Sequence, residues 1–135
     1  MVDDETVGSK FTHLDFFCDM EEWDSYYQNK NLGSPPYDWY VSWKQIKLAL
    51  VPILEGLCNE IKKEDLRILI PGCGDSGLSK KLYDAGFTSI TSVDYSTPLM
   101  HLMKKRYNLD GMQWINKDFV LSRLEVIFFI FHVFV

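Results

Sequence analysis

The chain has 135 residues, of which 47% are apolar and 24% charged, with a net charge of −5. That length holds one domain at most, and the composition is that of a globular chain with a modest core. An acidic balance excludes a general nucleic-acid binder, whose footprint is basic, but not a basic protein substrate.

Cys18, Cys58 and Cys73 are odd in number and irregularly spaced. No disulfide framework and no metal site are therefore expected. Dispersed thiols fit a reducing compartment, and a cytoplasmic location is expected. The polar, acidic start MVDDETVGSK is not expected to act as a secretory signal.

In chain order, residues 1–19 carry no strong period and read as a flexible lead-in. Residues 21–27 predict a short helix with acids in its first turn. Its spacing puts Trp23 and Tyr27 on one face. Residues 31–36 (NLGSPP) are loop chemistry, and a second aromatic cluster, Tyr37 to Tyr40, follows. Trp43, Ile46, Leu50, Ile53, Leu54 and Leu57 mark an amphipathic helix over about 42–58. Pro52 lies inside it and predicts a kink or break there.

The organising stretch is 66–94. An apolar run, 66–70, reads as a buried strand and enters the glycine-rich turn PGCGDSG. A helix follows with Leu78 and Leu82 on one face and Gly86 as its stop. A second strand, 89–93, ends on Asp94. Gly72, Gly74 and Gly77 fit GxGxxG, in which the backbone bends sharply and approaches a ligand closely. The helix start offers unpaired N–H groups to an anionic moiety. Asp94 stands at the distance expected of a ribose-binding acid.

This βαβ unit alone points to a nucleoside ligand and leaves NAD and S-adenosylmethionine (SAM) both open. Trp23, Tyr27 and Trp39, whose faces attract a sulfonium cation, tilt the choice to SAM. Asp118, placed to accept from an adenine amino group, tilts it the same way. Beyond Asp94, Thr97 predicts a helix N-cap with Pro98 at the first helical position. Leu99, Leu102, Met103 and Tyr107 would form the buried face, with Lys104, Lys105 and Arg106 in the last turn. Residues 110–111 are a turn, and 112–117 a third strand ending on Asp118. The apolar run 126–135, interrupted by His132, is shorter than the ~20 residues of a membrane span. It reads as a buried strand. None of His13, His101 and His132 is read as catalytic.

Taken together, ILIPGCGDSGLS, TSVDYS, the Trp23/Tyr27 pair and the PYDW segment (36–39) resemble the class I, seven-strand SAM-dependent methyltransferases. Within these they are similar to the methyltransferase-like protein 13 group, the elongation factor 1-alpha lysine methyltransferase branch. The likeness covers about residues 20–119. It implies an α/β fold: a partial Rossmann-like doubly wound sheet of the first three strands under an N-terminal helical cap. It also implies SAM as cofactor and a protein lysine as acceptor, with a translation elongation factor as one such partner; the charge and the short apolar run above lead us to expect neither nucleic acid nor membrane as a partner.

By the same resemblance, Trp23, Tyr27 and Trp39 would contact the cofactor from the cap. Gly72 would lie under its methionine part, Gly74 would be a further cofactor-binding residue of the turn, and Asp94 would hold the ribose. Tyr95 would lie against the adenine, with Asp118 and Phe119 closing that pocket. Asp75 stands where the family usually carries asparagine, a small change on a polar turn. The likeness ends near Phe119, before the family's fourth-strand motif, so 120–135 reads as a divergent apolar tail and the chain as a C-terminally shortened domain with no catalytic residue to name. Residues 126–134 are expected to pair with the first strand as a substitute fourth strand. Two other readings stand beside an active domain: a non-catalytic SAM-binding or interaction remnant, and an NAD-binding half-domain.

Overall fold

The computed structural model describes residues 19–39 and 41–118. The lead-in, Phe119 and the apolar tail, with its expected pairing, lie outside the described residues. In chain order the elements are α1 (Met20–Gln28), α2 (Trp43–Leu57), a 3-10 helix (Lys63–Asp65), β1 (Ile68–Pro71), α3 (Leu78–Asp84), β2 (Ile90–Asp94), α4 (Thr97–Arg106) and β3 (Met112–Asn116).

The three strands form one parallel sheet in the order β1-β2-β3. Ile68 pairs with Ile90, and Ile90 with Met112. Parallel pairing needs a crossover between strands, and α3 and α4 supply the two. The partial Rossmann-like architecture expected from the sequence is the one observed.

Two apolar cores cover the sheet, as a parallel sheet requires. One gathers Leu54, Leu66, Ile68, Leu82, Phe87 and Ile90. The other gathers Tyr27, Cys73, Leu99, Met100 and Met103, with Trp23, Tyr107 and Trp114 packed against it. α1 joins the second core through its packing on α4, which seats the N-terminal cap on the fold. Asp19 caps α1 by accepting from the Glu21 N–H at 2.9 Å.

Four sequence expectations change. Of the kink or break expected at Pro52, the break is absent, since α2 is one continuous helix through it. Gln45 holds its start, accepting from the Ser42 N–H at 3.1 Å and Ser42 Oγ at 2.8 Å. Pro52 is exposed, so water can satisfy the carbonyl that loses its N–H partner. The apolar face of α2 is also narrower than its periodicity suggests: Leu54 is buried, but Ile53 and Leu57 are exposed.

At α4 the cap is Ser96, not Thr97, so Pro98 sits one position later. The reason is local competition for donors and acceptors. The Ser96 N–H donates to Asp94 Oδ1 at 3.1 Å, and the Thr97 hydroxyl is taken by Asn116 Oδ1 on β3 at 2.8 Å. Met100 is buried beside Leu99 and Met103, whereas Leu102 and Tyr107 are only half-buried.

Candidate functional site

β1 and β2 end side by side, and their carboxyl ends open onto a cavity of about 410 Å³. That is within the range of small-molecule sites, and its place is where open α/β sheets bind ligands. The cap closes it from one side with Trp23, Tyr27 and Trp39. The glycine turn and Asp94 close it from the other.

The turn can take its shape only with glycine. Gly72 and Gly74 have φ of +60° and +52°, a region that side-chain-bearing residues rarely enter. A Cβ on Gly74 would lie 3.2 Å from Tyr27 Oη, so the cap rests directly on the turn there. At Gly72 a Cβ would meet nothing within 4 Å, because that side faces open space.

Asp94 links the turn to β2. Its Oδ2 accepts from the Gly74 N–H at 3.0 Å, and its Oδ1 from the Ser96 N–H. A carboxylate has about four acceptor sites, so it retains capacity for a ligand hydroxyl. Burial pushes the Asp94 carboxyl above its ordinary pKa, against the backbone N–H bonds that pull it down. Burial also raises the Tyr27 phenol and the Cys73 thiol, with the Asp94 charge adding to both. Both side chains stay neutral at physiological pH, so Cys73 is packing rather than a nucleophile.

The aromatic wall is built by contact between rings. Trp23 stacks on Tyr27 with centroids 5.8 Å apart, and Trp39 meets Trp23 edge-on at 5.3 Å. Such pairs stabilise by about 0.5–1.5 kcal/mol beyond their buried area. Asp38 accepts from Ser76 Oγ at 2.6 Å, and the Tyr37 N–H donates to the Asp75 carbonyl at 3.2 Å. These two bonds tie the PYDW segment to the turn.

Seven of the sequence-derived positions line this one cavity: Trp23, Tyr27, Trp39, Gly72, Gly74, Asp94 and Tyr95. Asp118 is half-buried and is not among the lining residues, although its charge helps raise the Tyr95 phenol after burial, Asp94, Asp24 and Asp19. Phe119 lies outside the described residues. The Tyr95 hydroxyl is buried without a hydrogen-bond partner among the described residues. No group of three or more metal-ligating side chains occurs among the described residues, and no helix there is long and apolar enough to cross a membrane.

Sequence reasoning missed the ion pair under this site. Asp75 is no small change on a polar turn: it is fully buried and pairs with Lys30 of the cap. Lys30 also lies over the Tyr26 ring, 4.7 Å from its centroid. Burial alone would lower the Lys30 pKa, but the Asp75 bond and charge raise it. The detectable signal was the four-residue spacing of Tyr26, in α1, and Lys30, just past its C-cap, which puts a cation beside a ring. The partner 45 positions away leaves no such trace. On the other side, the Arg106 guanidinium of α4 donates to the Asn31 and Ser34 carbonyls at 3.0 and 2.6 Å and holds the loop after α1.

Comparison with known proteins gives the same direction. The chain is 35% identical over 100 residues to EEF1A lysine methyltransferase 4 of Mus musculus, covering 73% of this chain and 36% of the relative. The Bos taurus protein of that name is 34% identical over 103 residues, covering 76% and 37%. The eEF1A lysine and N-terminal methyltransferase of Bos taurus is 29% identical over 90 residues, covering 67% and 11%. The chain thus spans little more than a third of the length of the first two relatives. No family model matches it.

Proposed function

Because the chain belongs to the methyltransferase branch that includes the eEF1A lysine methyltransferases, we propose that its cavity binds SAM and that it serves methyl transfer to a protein lysine. A translation elongation factor is the acceptor this reading favours. The observation that carries the cofactor assignment is the meeting of Asp94, the two positive-φ glycines and the cap aromatics on one cavity.

The residues fit that cofactor. Asp94 keeps acceptor capacity beside the backbone bonds it takes, suited to ribose hydroxyls. The buried, unpartnered Tyr95 hydroxyl beside it offers a polar contact on the nucleoside side. The glycine turn has room over Gly72 for a close backbone approach to the methionine part. Trp23, Tyr27 and Trp39 line the cavity with aromatic surface suited to a sulfonium. When bound, SAM supplies a methyl group already activated for in-line displacement. What the chain contributes is positioning: the cap excludes water while the turn and Asp94 fix the nucleoside.

The test is titration of the chain with SAM, followed by the fluorescence of the cap tryptophans. Saturable quenching that NAD does not compete away is the expected result. Absence of saturation, or displacement by NAD, overturns the cofactor assignment. Incubation with labelled SAM and purified eEF1A then reads transfer: label on a lysine supports the activity, and binding without label supports a non-catalytic SAM-binding role.

A further inference from the structure

Three walls of the cavity converge on one ammonium. Lys30, just past the C-cap of α1, pairs with the buried carboxylate of Asp75, the residue after Gly74 in the glycine turn. The same ammonium lies 4.7 Å from the centroid of the Tyr26 ring and 5.9 Å from that of Tyr37, both within cation–π range. Each of these rings meets a cavity residue. Tyr26 and Tyr27 have centroids 5.1 Å apart, and Tyr37 and Trp39 have centroids 4.9 Å apart. Asp75 is also held through its backbone, where its carbonyl accepts from the Tyr37 N–H at 3.2 Å. Lys30 thus stands behind the wall and touches the side chains that carry it.

Two of these walls are cap and the third is the turn at the sheet. The cation is what joins them: an anion on the turn and two electron-rich ring faces on the cap have no attraction for one another without it. An exposed pair would be screened and contribute little. Here the carboxylate is fully buried and the lysine side chain keeps 16% exposure, so the attraction is largely retained. Parting the cap from the turn would leave Asp75 without its cation, which makes the parted state costly.

We propose that Lys30 is a positioning residue for this cavity: its ammonium clamps both aromatic segments of the cap onto the glycine turn and so sets how long a bound cofactor is retained. The inference rests on the SAM-binding reading above and concerns the same site. A ligand held between Tyr27, Trp39 and the turn leaves when cap and turn part, and the clamp opposes that parting. Its loss therefore appears in the release rate more than in the association rate, as for most contacts that hold a formed complex. A purely structural lysine would make release follow the stability of the fold. A clamp makes release follow the presence of the cation.

The test is release of radiolabelled SAM from the whole chain, chased with excess unlabelled SAM, at a temperature where circular dichroism shows each variant folded. Lys30→Met is expected to release SAM about tenfold faster than the wild type, with the association rate changed by less than about threefold. Lys30→Arg keeps a cation that can pair with a carboxylate and lie on a ring, and is expected to stay within about threefold of the wild type. Lys30→Met/Asp75→Asn decides between the two roles. It removes the stranded charge and regains stability, but it has no cation, so its release stays fast. Release that returns to the wild-type rate along with stability in that variant overturns the clamp. So does unchanged release from Lys30→Met, or release from Lys30→Arg as fast as from Lys30→Met. Failure of the wild-type chain to bind labelled SAM overturns the SAM-binding reading and the clamp with it, so the two failures are distinguishable.

Discussion

Replacing Lys30 with methionine removes the cation that the cap sets against Asp75. Asp75 is fully buried, and its Oδ1 already has no hydrogen-bond partner among the described residues. The Lys30→Met variant therefore strands a carboxylate in the interior. Breaking a buried pair from one side costs about 3–5 kcal/mol. The Lys30 side chain keeps 16% exposure, so water can approach the vacated site, and about 2–3 kcal/mol is the expected loss. Urea unfolding followed by tryptophan fluorescence measures it. With a slope of roughly 1–3 kcal/mol per molar, the midpoint should fall by about 1 M or more at unchanged slope.

The double variant Lys30→Met/Asp75→Asn should regain more than half of the loss, because a neutral amide leaves no uncompensated charge. The raised Lys30 pKa fixes the alkaline behaviour: the pair's contribution is present below the unfolded lysine value of about 10.4 and is lost as pH rises through the higher folded value. A loss below about 0.5 kcal/mol in the single variant, or strict additivity in the double, would refute the reasoning.

Asp94→Asn should weaken SAM binding at least about tenfold, since the amide's NH2 cannot accept both from the backbone and from a ribose hydroxyl; calorimetry reads this directly. In the wild type, SAM affinity should fall as the pH drops from neutrality, at a pH above the usual aspartate range, and the Asn variant should lack that step. For stability the sign runs the other way. A raised folded pKa gives stabilisation that is full below the unfolded value of about 3.9 and is lost as pH rises through the folded one. Gly111→Ala should destabilise by about 3 kcal/mol or more, since its Cβ would lie 2.4 Å from the Thr88 carbonyl oxygen at a φ of +85°. Gly72→Ala meets only the backbone penalty of about 1–2 kcal/mol, and thermal unfolding of the two variants should rank them in that order. Phe87→Ala, at a fully buried site, should cost about 3–5 kcal/mol in the same assay.

The elements themselves were legible because their signals are local. An apolar stretch over 66–70, a glycine turn and a strand-ending acid sit within 66–94, and each states its own conformation. The short helix at Trp23 and Tyr27 was legible for the same reason: a spacing of four residues makes the rings neighbours whatever the rest of the fold does. Phe87 and Met100 were not marked as core, because neither falls on an uninterrupted period. Their burial is decided by what the sheet places above them.

By itself, then, the sequence determined the βαβ grammar, the acid at the end of β2 and the likeness to SAM-dependent methyltransferases. All of these rest on near neighbours in the chain or on motifs. Only the tertiary structure decided how the cap meets the turn. Lys30 and Asp75 lie 45 residues apart, and Arg106 reaches carbonyls more than 70 residues away. A buried charge declares itself only when its surroundings are known, because the same aspartate is unremarked in water and costly without a partner in the interior. The fold turns a polar-looking turn residue into the anchor that seats the aromatic cap over the cavity at the glycine turn.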